Sequence, residues 1–499
     1  MDARRHAGGT GHGGAVRDGG RTTDAGLMPP QGSTTNGGAT RYGGVARCAG
    51  AAAWRRARPP VDRVTAGDLL TLAMDMGPVP SHVGAILQFD RVPGDDPAAA
   101  ERLIGERIGA VPRLRQRLVP TPRGCGPPVW VDDPDADPSR HVRQVACPAP
   151  GDDRALLDLA ARLVTAPLPR TRPLWSAAVV TGLAGGGVAL VMVLHHVVAD
   201  GVGGLAVLSA LADGAPQPGP LPPARPAPSH RELAVDATVR RLRAVRRLPR
   251  AVGSMRTWFA AAGGSRPDRA AACSLVRPTG RRRRYEVVRA DAAPLRALAH
   301  RHGATANDAV LVAVTAALHD LLASRGEAVD PIALGVPVSR RRSTTSARLG
   351  NQVAPILVAA PVTGDIPPRL ERVAATVRTG RVAATGPPPV ALATAMRLAA
   401  RVGLLRRYLG HQRRMHTMVS SIHGPDRQVA IGGAGLVSIV PLVSAETGNV
   451  TVSFDVLAYA GVLTITAMAD PDAVPDLPDL MAALRSELAA LAATAGVRV

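Results

Sequence analysis

Leu194-His195-His196-Val197-Val198-Ala199-Asp200-Gly201 is the stretch from which the fold can be read. Before it runs Gly187-Val188-Ala189-Leu190-Val191-Met192-Val193, an unbroken apolar segment with the character of a buried strand. After it, residues 202–213 carry apolar side chains at helical spacing. Two imidazoles therefore stand where a strand ends, and an aspartate stands where the next helix begins. Aspartate in that position caps free backbone N–H groups or holds an arginine, and Gly201 lets the chain turn tightly. A histidine at such a junction can face a cleft and act as a general base near neutral pH. A histidine beside an apolar strand is more often a satisfied core residue, and adjacent residues of an extended chain point to opposite faces, so at most one of the two need face a cleft.

The rest of the composition narrows the setting. A chain of 499 residues with 46% apolar content is expected to form two domains plus a tail. Aromatic residues make up only 2%, so the cores must be built from Val, Leu and Ala. The net charge of +21 is carried by arginine alone, because the chain has no lysine. Lysine Schiff-base chemistry and a Walker-type phosphate loop are thereby excluded. The arginines are spread over many segments, aromatics for base stacking are scarce, and no helix-turn-helix or zinc-finger spacing occurs. Nucleic acid is not the expected partner. Cys48, Cys125, Cys147 and Cys273 are isolated and lack metal-binding spacing, so no metal and a reduced, cytoplasmic chain are expected. No signal-peptide apolar region opens the chain, and no run reads as a membrane span.

Composition then divides the chain. Residues 1–60, rich in Gly, Ala and Arg without apolar periodicity, read as a disordered tail. Residues 61–215 form a first domain with strands near 83–89, 128–131, 177–180 and 187–194, and helices near 98–108 and 156–164. Gly185-Gly186-Gly187 reads as a hairpin turn rather than a phosphate loop. Residues 216–280 combine a proline-dense linker with a basic helix over 231–262. Residues 281–499 form a second domain, with helices at 292–301, 309–322, 390–414 and 480–493 and strands at 332–338, 353–358, 450–454 and 462–468. Within 390–414 leucines and arginines segregate by face, a pattern that suits an anionic lipid interface and equally a partly packed surface helix. Strands and helices mix in both halves, so α/β layers are expected.

The spacing His195-His196-x-x-x-Asp200-Gly201 resembles the signature of the CoA-dependent acyltransferase superfamily, shared with peptide-synthetase condensation domains. Further landmarks extend the likeness over almost everything after residue 61: Val83-Gly84-Ala85, Pro128-Val129-Trp130-Val131-Asp132, Pro173-Leu174-Trp175, Asn307-Asp308, Val336-Pro337-Val338-Ser339, Leu349-Gly350-Asn351, Gly424-Pro425 and Ala469-Asp470-Pro471. Together they resemble the bacterial wax ester synthase/diacylglycerol acyltransferase family. That resemblance implies an α/β fold of two chloramphenicol-acetyltransferase-like domains with a channel between them. It implies transfer of a fatty acyl group from acyl-CoA, a substrate rather than a cofactor, to diacylglycerol or a long-chain alcohol. No cofactor is implied, and peripheral contact with a membrane or lipid-body surface is.

The resemblance also implies roles. His196 is the general base, with His195 as second choice or as the residue that orients the loop. Asp200 fixes the loop beside Gly201. Asn307, with Asp308, is a substrate contact near the channel; alternatively Asn307 caps the helix that Asp308 begins. Trp175 is packing or channel wall. Two departures bear on the acceptor: Ser420-Ser421-Ile422-His423-Gly424-Pro425 stands where relatives carry Ser-Asn-Val-Pro-Gly-Pro, and Ser176-Ala177-Ala178 follows Trp175 where bulkier or acidic residues are common. Two other readings stay open, a polyketide-associated or condensation-type acyltransferase and a non-catalytic relative that binds lipid surfaces.

Overall fold

The structure, a computed structural model, describes residues 61–215, 223–246, 269–339, 341, 349–384, 390–444 and 448–496. The tail expected over 1–60, the start of the proline linker and the part of the basic helix beyond Arg246 lie outside the described residues. In chain order the first half contains β1 (Asp62–Arg63), α1 (Ala66–Met74), β2 (His82–Phe89), α2 (Pro97–Gly109), β3 (Gln116–Val119), β4 (Val129–Asp132), β5 (Val142–Ala146), α3 (Asp153–Thr165), β6 (Trp175–Thr181), β7 (Val188–His195) and α4 (Gly201–Leu211). The helix α5 (His230–Arg246) leads to the second half. That half contains β8 (Arg284–Asp291), α6 (Ala292–Arg301), α7 (Ala306–Ser324), β9 (Ile332–Ser339), β10 (Val353–Ala360), α8 (Ile366–Ala383), α9 (Val390–Arg401), α10 (Leu404–Leu409), β11 (Thr417–His423), β12 (Ala430–Ile431), β13 (Ala434–Val443), β14 (Val452–Tyr459), β15 (Val462–Ala469) and α11 (Leu477–Gly496).

Two six-stranded sheets dominate, in the orders β12-β13-β2-β7-β6-β5 and β10-β9-β11-β14-β15-β8, with a small sheet β1-β4-β3 beside them. Strand β7 is buried along its whole length because both faces of its sheet are covered. Its even residues from Val188 to Leu194 pack with Ile104 and Ile108 of α2 and Val207 and Leu211 of α4. Its odd residues Ala189, Val191 and Val193 pack with Leu156, Ala160 and Val164 of α3, and with Tyr285 and Met468 of the second sheet. The apolar run before His195 is thus continuous because neither face meets water. Asp96, Asp152 and Asp200 start α2, α3 and α4 by accepting backbone N–H bonds three residues on.

Several expectations change. The second domain is not the contiguous block 281–499, because β13 pairs antiparallel with β2 from Leu436↔Phe89 to Val443↔Val83 and so extends the first sheet. Without it, β2 would present an edge of unpaired backbone groups. The helix expected over 390–414 breaks at Gly403, whose φ of +75° ends α9 and starts α10. Strands β8, β11 and β13 and the helix α8 are additions that periodicity alone does not reveal. Helix α7 is, by length and composition, apolar enough to cross a membrane, which corrects the view that no run is; most of it is buried inside the protein as the core helix of the second half.

Candidate active site

The site begins at the turn after β7, where the two histidines part. His195, the last strand residue, continues the odd-numbered side of β7 and is buried beside His82, its cross-strand partner on β2, with the rings edge to face at 5.5 Å. Its Nδ1 accepts the Val197 N–H at 3.1 Å, so the ring proton sits on Nε2, which donates to Asp75 Oδ2 at 3.1 Å. Asp75, the C-cap of α1, also accepts from the Ser81 N–H at 2.9 Å and from Arg170 at 2.8 Å. Burial acts to raise its pKa, but the hydrogen bond from His195, the Ser81 N–H and the Arg170 guanidinium outweigh that and hold it at about 2. Burial pushes His82 down to about 4. The set works as an orienting buttress, with His195 facing away from the side on which α4 packs.

His196 lies in the turn itself and keeps partial exposure. Its N–H donates to the Ser81 carbonyl at 2.9 Å, and its carbonyl accepts from Asn351 Nδ2 at 2.7 Å. Its Nδ1 is buried with no hydrogen-bond partner among the described residues. Burial, the largest influence, pushes the imidazole pKa below its ordinary value, against the raising effects of its own backbone, Asp200 and Asn351. The ring is therefore held neutral, the form a general base requires.

The second half grips this turn with one short segment. The Gly350 N–H donates to the Val198 carbonyl at 2.8 Å, Asn351 Nδ2 to the His196 carbonyl, and the Gln352 N–H to Asp200 Oδ2 at 2.9 Å. Asp200 closes the clasp. Its Oδ1 caps the Gly203 N–H at 2.9 Å and accepts from Arg341 at 2.7 Å, and both side chains of that ion pair are only 2% exposed. Arg341 also donates to the Gly350 carbonyl at 2.7 Å. Asp68 supports the clasp from α1: its Oδ2 closes a capping box with Thr65, and its Oδ1 accepts the Asn351 N–H at 2.9 Å.

Gly201 has a packing reason to be glycine. A Cβ there would lie 2.3 Å from Ile422 Cδ1, so β11 and the divergent Ser421-Ile422-His423 stretch close directly onto the start of α4. Gly201→Ala should cost about 1–3 kcal/mol through overpacking. The double variant Gly201→Ala/Ile422→Ala should recover much of that loss in thermal melts. A double variant no more stable than the single one would remove Ile422 as the cause.

The remaining expected residues fall elsewhere. Trp175 is buried in the first core, its indole N–H donating to the Leu114 carbonyl at 2.8 Å and its ring stacked on His141 at 4.5 Å. Helix α7 begins at Ala306 with Thr305 as its cap, so the reading of Asn307 as the capping residue is corrected. Asp308 completes a capping box by accepting the Thr305 N–H at 2.8 Å. Asn307 Oδ1 is buried without a partner among the described residues. Asp68, Asp75, Ser81 and Arg341 carry the site without having been assigned a role from the sequence. Thr65-Ala66-Gly67-Asp68 has capping-box spacing, which could have flagged Asp68. Nothing local marks Asp75, whose importance comes from a residue 120 positions away. Among the described residues no group of His, Cys, Asp and Glu could hold a metal.

The chain is similar to known proteins over most of its length. The model of the wax ester synthase/diacylglycerol acyltransferase catalytic domain matches residues 64–310, and that of the C-terminal domain of the same proteins matches residues 349–492. A putative diacylglycerol O-acyltransferase of Mycobacterium bovis is 31% identical over 426 residues, covering 82% of this chain and 91% of the relative. The probable diacylglycerol O-acyltransferase tgs1 of Mycobacterium tuberculosis matches to the same extent, 31% over 426 residues. Among solved structures, the wax ester synthase/diacylglycerol acyltransferase of Marinobacter aquaeolei superposes with a TM-score of 0.61 at 23% identity, over 87% of this chain and 100% of that one. A starter condensation domain of rhizomide synthetase, solved with C8-CoA, superposes with a TM-score of 0.57 at 16% identity, over 88% and 95% of the two chains.

The fold is thus the two-domain α/β type seen in the wax ester synthase/diacylglycerol acyltransferase and condensation-domain structures. The chain belongs to the wax ester synthase/diacylglycerol acyltransferase family and is an O-acyltransferase.

Proposed function

We infer that this enzyme moves a fatty acyl group from acyl-CoA to the free hydroxyl of diacylglycerol, with long-chain alcohols as the alternative acceptor, giving triacylglycerol or wax ester. The observation that carries the reading is His196, its pKa lowered by burial, at a turn that Gly350 and Asn351 of the second half hold by hydrogen bonds. The mycobacterial relatives, named as diacylglycerol O-acyltransferases, support the acceptor.

In this mechanism His196 takes the proton from the acceptor hydroxyl as its oxygen attacks the thioester carbonyl carbon. A C–O bond forms and the carbonyl oxygen takes the negative charge. As the tetrahedral intermediate collapses, the C–S bond breaks and the imidazolium returns its proton to the leaving CoA sulfur. Base catalysis of this kind contributes about a hundred- to ten-thousand-fold. Holding both substrates in a passage between the halves supplies more by fixing their approach. Asp200 and Asn351 act by positioning the turn; neither reaches the reacting atoms in this scheme.

The direct test offers radiolabelled acyl-CoA with diacylglycerol, with hexadecanol, and with neither, and separates the products by thin-layer chromatography. Label in triacylglycerol is the expected result. Transfer only from an acyl group carried on a peptidyl carrier protein would replace this reading with a condensation-type one.

A further inference from the structure

Helices α9 and α10 present a surface that the chemistry of the active site does not use. The inner side of α9 packs on α1, and Ala393, 1% exposed, joins the core that contains Leu69. The outer side is apolar: Leu398 is 62% exposed and Val402 64%, and across the Gly403 break Leu404 is 62% and Tyr408 55% exposed. Leu405 is buried and anchors α10, so this exposure belongs to a packed helix pair. Arg401, Arg406 and Arg407 are exposed among these side chains.

Along this stretch of chain the charge has one sign. Between Glu371 and Asp426 the chain carries nine arginines and no aspartate or glutamate. An exposed apolar ridge rimmed by cations matches a bilayer with anionic headgroups, where side chains such as leucine enter the acyl boundary and guanidinium groups stay with phosphates. Nucleic acid fits less well, because Tyr408 is the single aromatic residue in the two helices. The helix beneath, α1, carries at its two ends the groups that hold the site: Asp68, bonded to Asn351, and Asp75, bonded to His195.

We propose that the α9–α10 surface docks the enzyme on an anionic lipid bilayer, one helix away from the catalytic turn, so that the lipid acceptor is taken from the membrane rather than from water. The turnover arm of this proposal rests on the acyltransfer reading; the binding arm does not. Helix α5 serves as the internal comparison. It also exposes Val235, Leu242 and Val245, but its charge is partly cancelled by Glu232 and by Asp236, which pairs with Arg63 and Arg240.

The experiment sediments the full chain with vesicles of phosphatidylcholine alone, or of equal parts phosphatidylcholine and phosphatidylglycerol, at low and high salt. Wild type should bind the anionic vesicles selectively and lose them as salt screens the charge. Arg401→Gln/Arg406→Gln/Arg407→Gln should weaken that partition about a hundredfold, given roughly fivefold per arginine at an anionic surface. Leu398→Ser/Val402→Ser/Leu404→Ser should also weaken it, while Leu242→Ser/Val245→Ser should bind as wild type. Both α9–α10 variants should keep turnover of an acceptor dissolved in detergent and lose turnover of the same acceptor embedded in anionic vesicles. Wild-type partition by both variants, loss of binding in the α5 variant instead, or capture by single-stranded DNA with no vesicle binding would each overturn the proposal. Selective vesicle binding without turnover of any acyl-CoA would leave docking intact and remove the acyltransfer reading instead.

Discussion

His196→Ala is expected to lower acyl transfer by about a hundred- to ten-thousand-fold while leaving the fold intact, because it removes a base and leaves the backbone bonds that hold the turn. The side chain makes no hydrogen bond through Nδ1 to the described residues, and the turn is held through its backbone by Ser81 and Asn351. Alanine keeps both backbone bonds, so the thermal melt should change little while kcat/KM collapses. The pH profile gives an independent reading of the same group. Burial lowers the imidazole pKa below 6.5, so the ring stays neutral at pH 7 and the active form is lost only when pH falls through that lowered value. The acid limb of kcat/KM should therefore lie below the ordinary histidine range. A variant with wild-type turnover, or an acid limb at or above the usual histidine value, would show that another group takes the proton.

Asp200→Ala is the second substitution with a large expected effect, and it acts mainly on stability. It removes the carboxylate from beside a guanidinium that is 2% exposed, uncaps α4 at Gly203 and releases the Gln352 N–H. Removing one member of a buried ion pair costs about 3–5 kcal/mol, since the charge left behind stays out of water. Activity should fall as well, because the segment that Asp200 grips also holds the His196 carbonyl through Asn351. Asp200→Asn should be milder, since the amide oxygen can still cap the helix. A cycle with Arg341→Met separates the terms, and the double variant should lose less than the sum of the two single ones. A midpoint in urea that hardly moves on Asp200→Ala would mean that the clasp contributes little to joining the halves.

The two substitutions show which part of the site could be read locally. Asp200 was legible as a cap because the feature is short-range: an aspartate, a glycine and an apolar helix, in that order. The partner that makes it a clasp, Arg341, was one arginine in a run of three, and only the approach of the second half selects it. Likewise the pair His195-His196 promised opposite orientations, yet nothing in the string says which histidine would meet Asp75. That choice follows from the parity of β7, fixed by the antiparallel register with β2 that sets His195 opposite His82. Asn307 failed as a cap for a local reason: Thr305, two residues earlier, forms the capping box with Asp308 and starts the helix sooner.

By itself the sequence determined the elements whose signals are local, including strand β7, helices α2, α3 and α6, the hairpin turn before β7 and the placement of the histidine pair at a strand-to-helix junction. It also excluded lysine chemistry outright. Tertiary structure alone decided the rest: that residues 434–443 return to complete the first sheet, that one segment of the second half closes over the histidine turn, and that Asp68, Asp75 and Arg341 become site residues. The division has one physical cause. Caps are satisfied, and the periodicity of an amphipathic face is displayed, within a few residues of chain, whereas an open strand edge and a buried charge must find partners wherever the fold brings them.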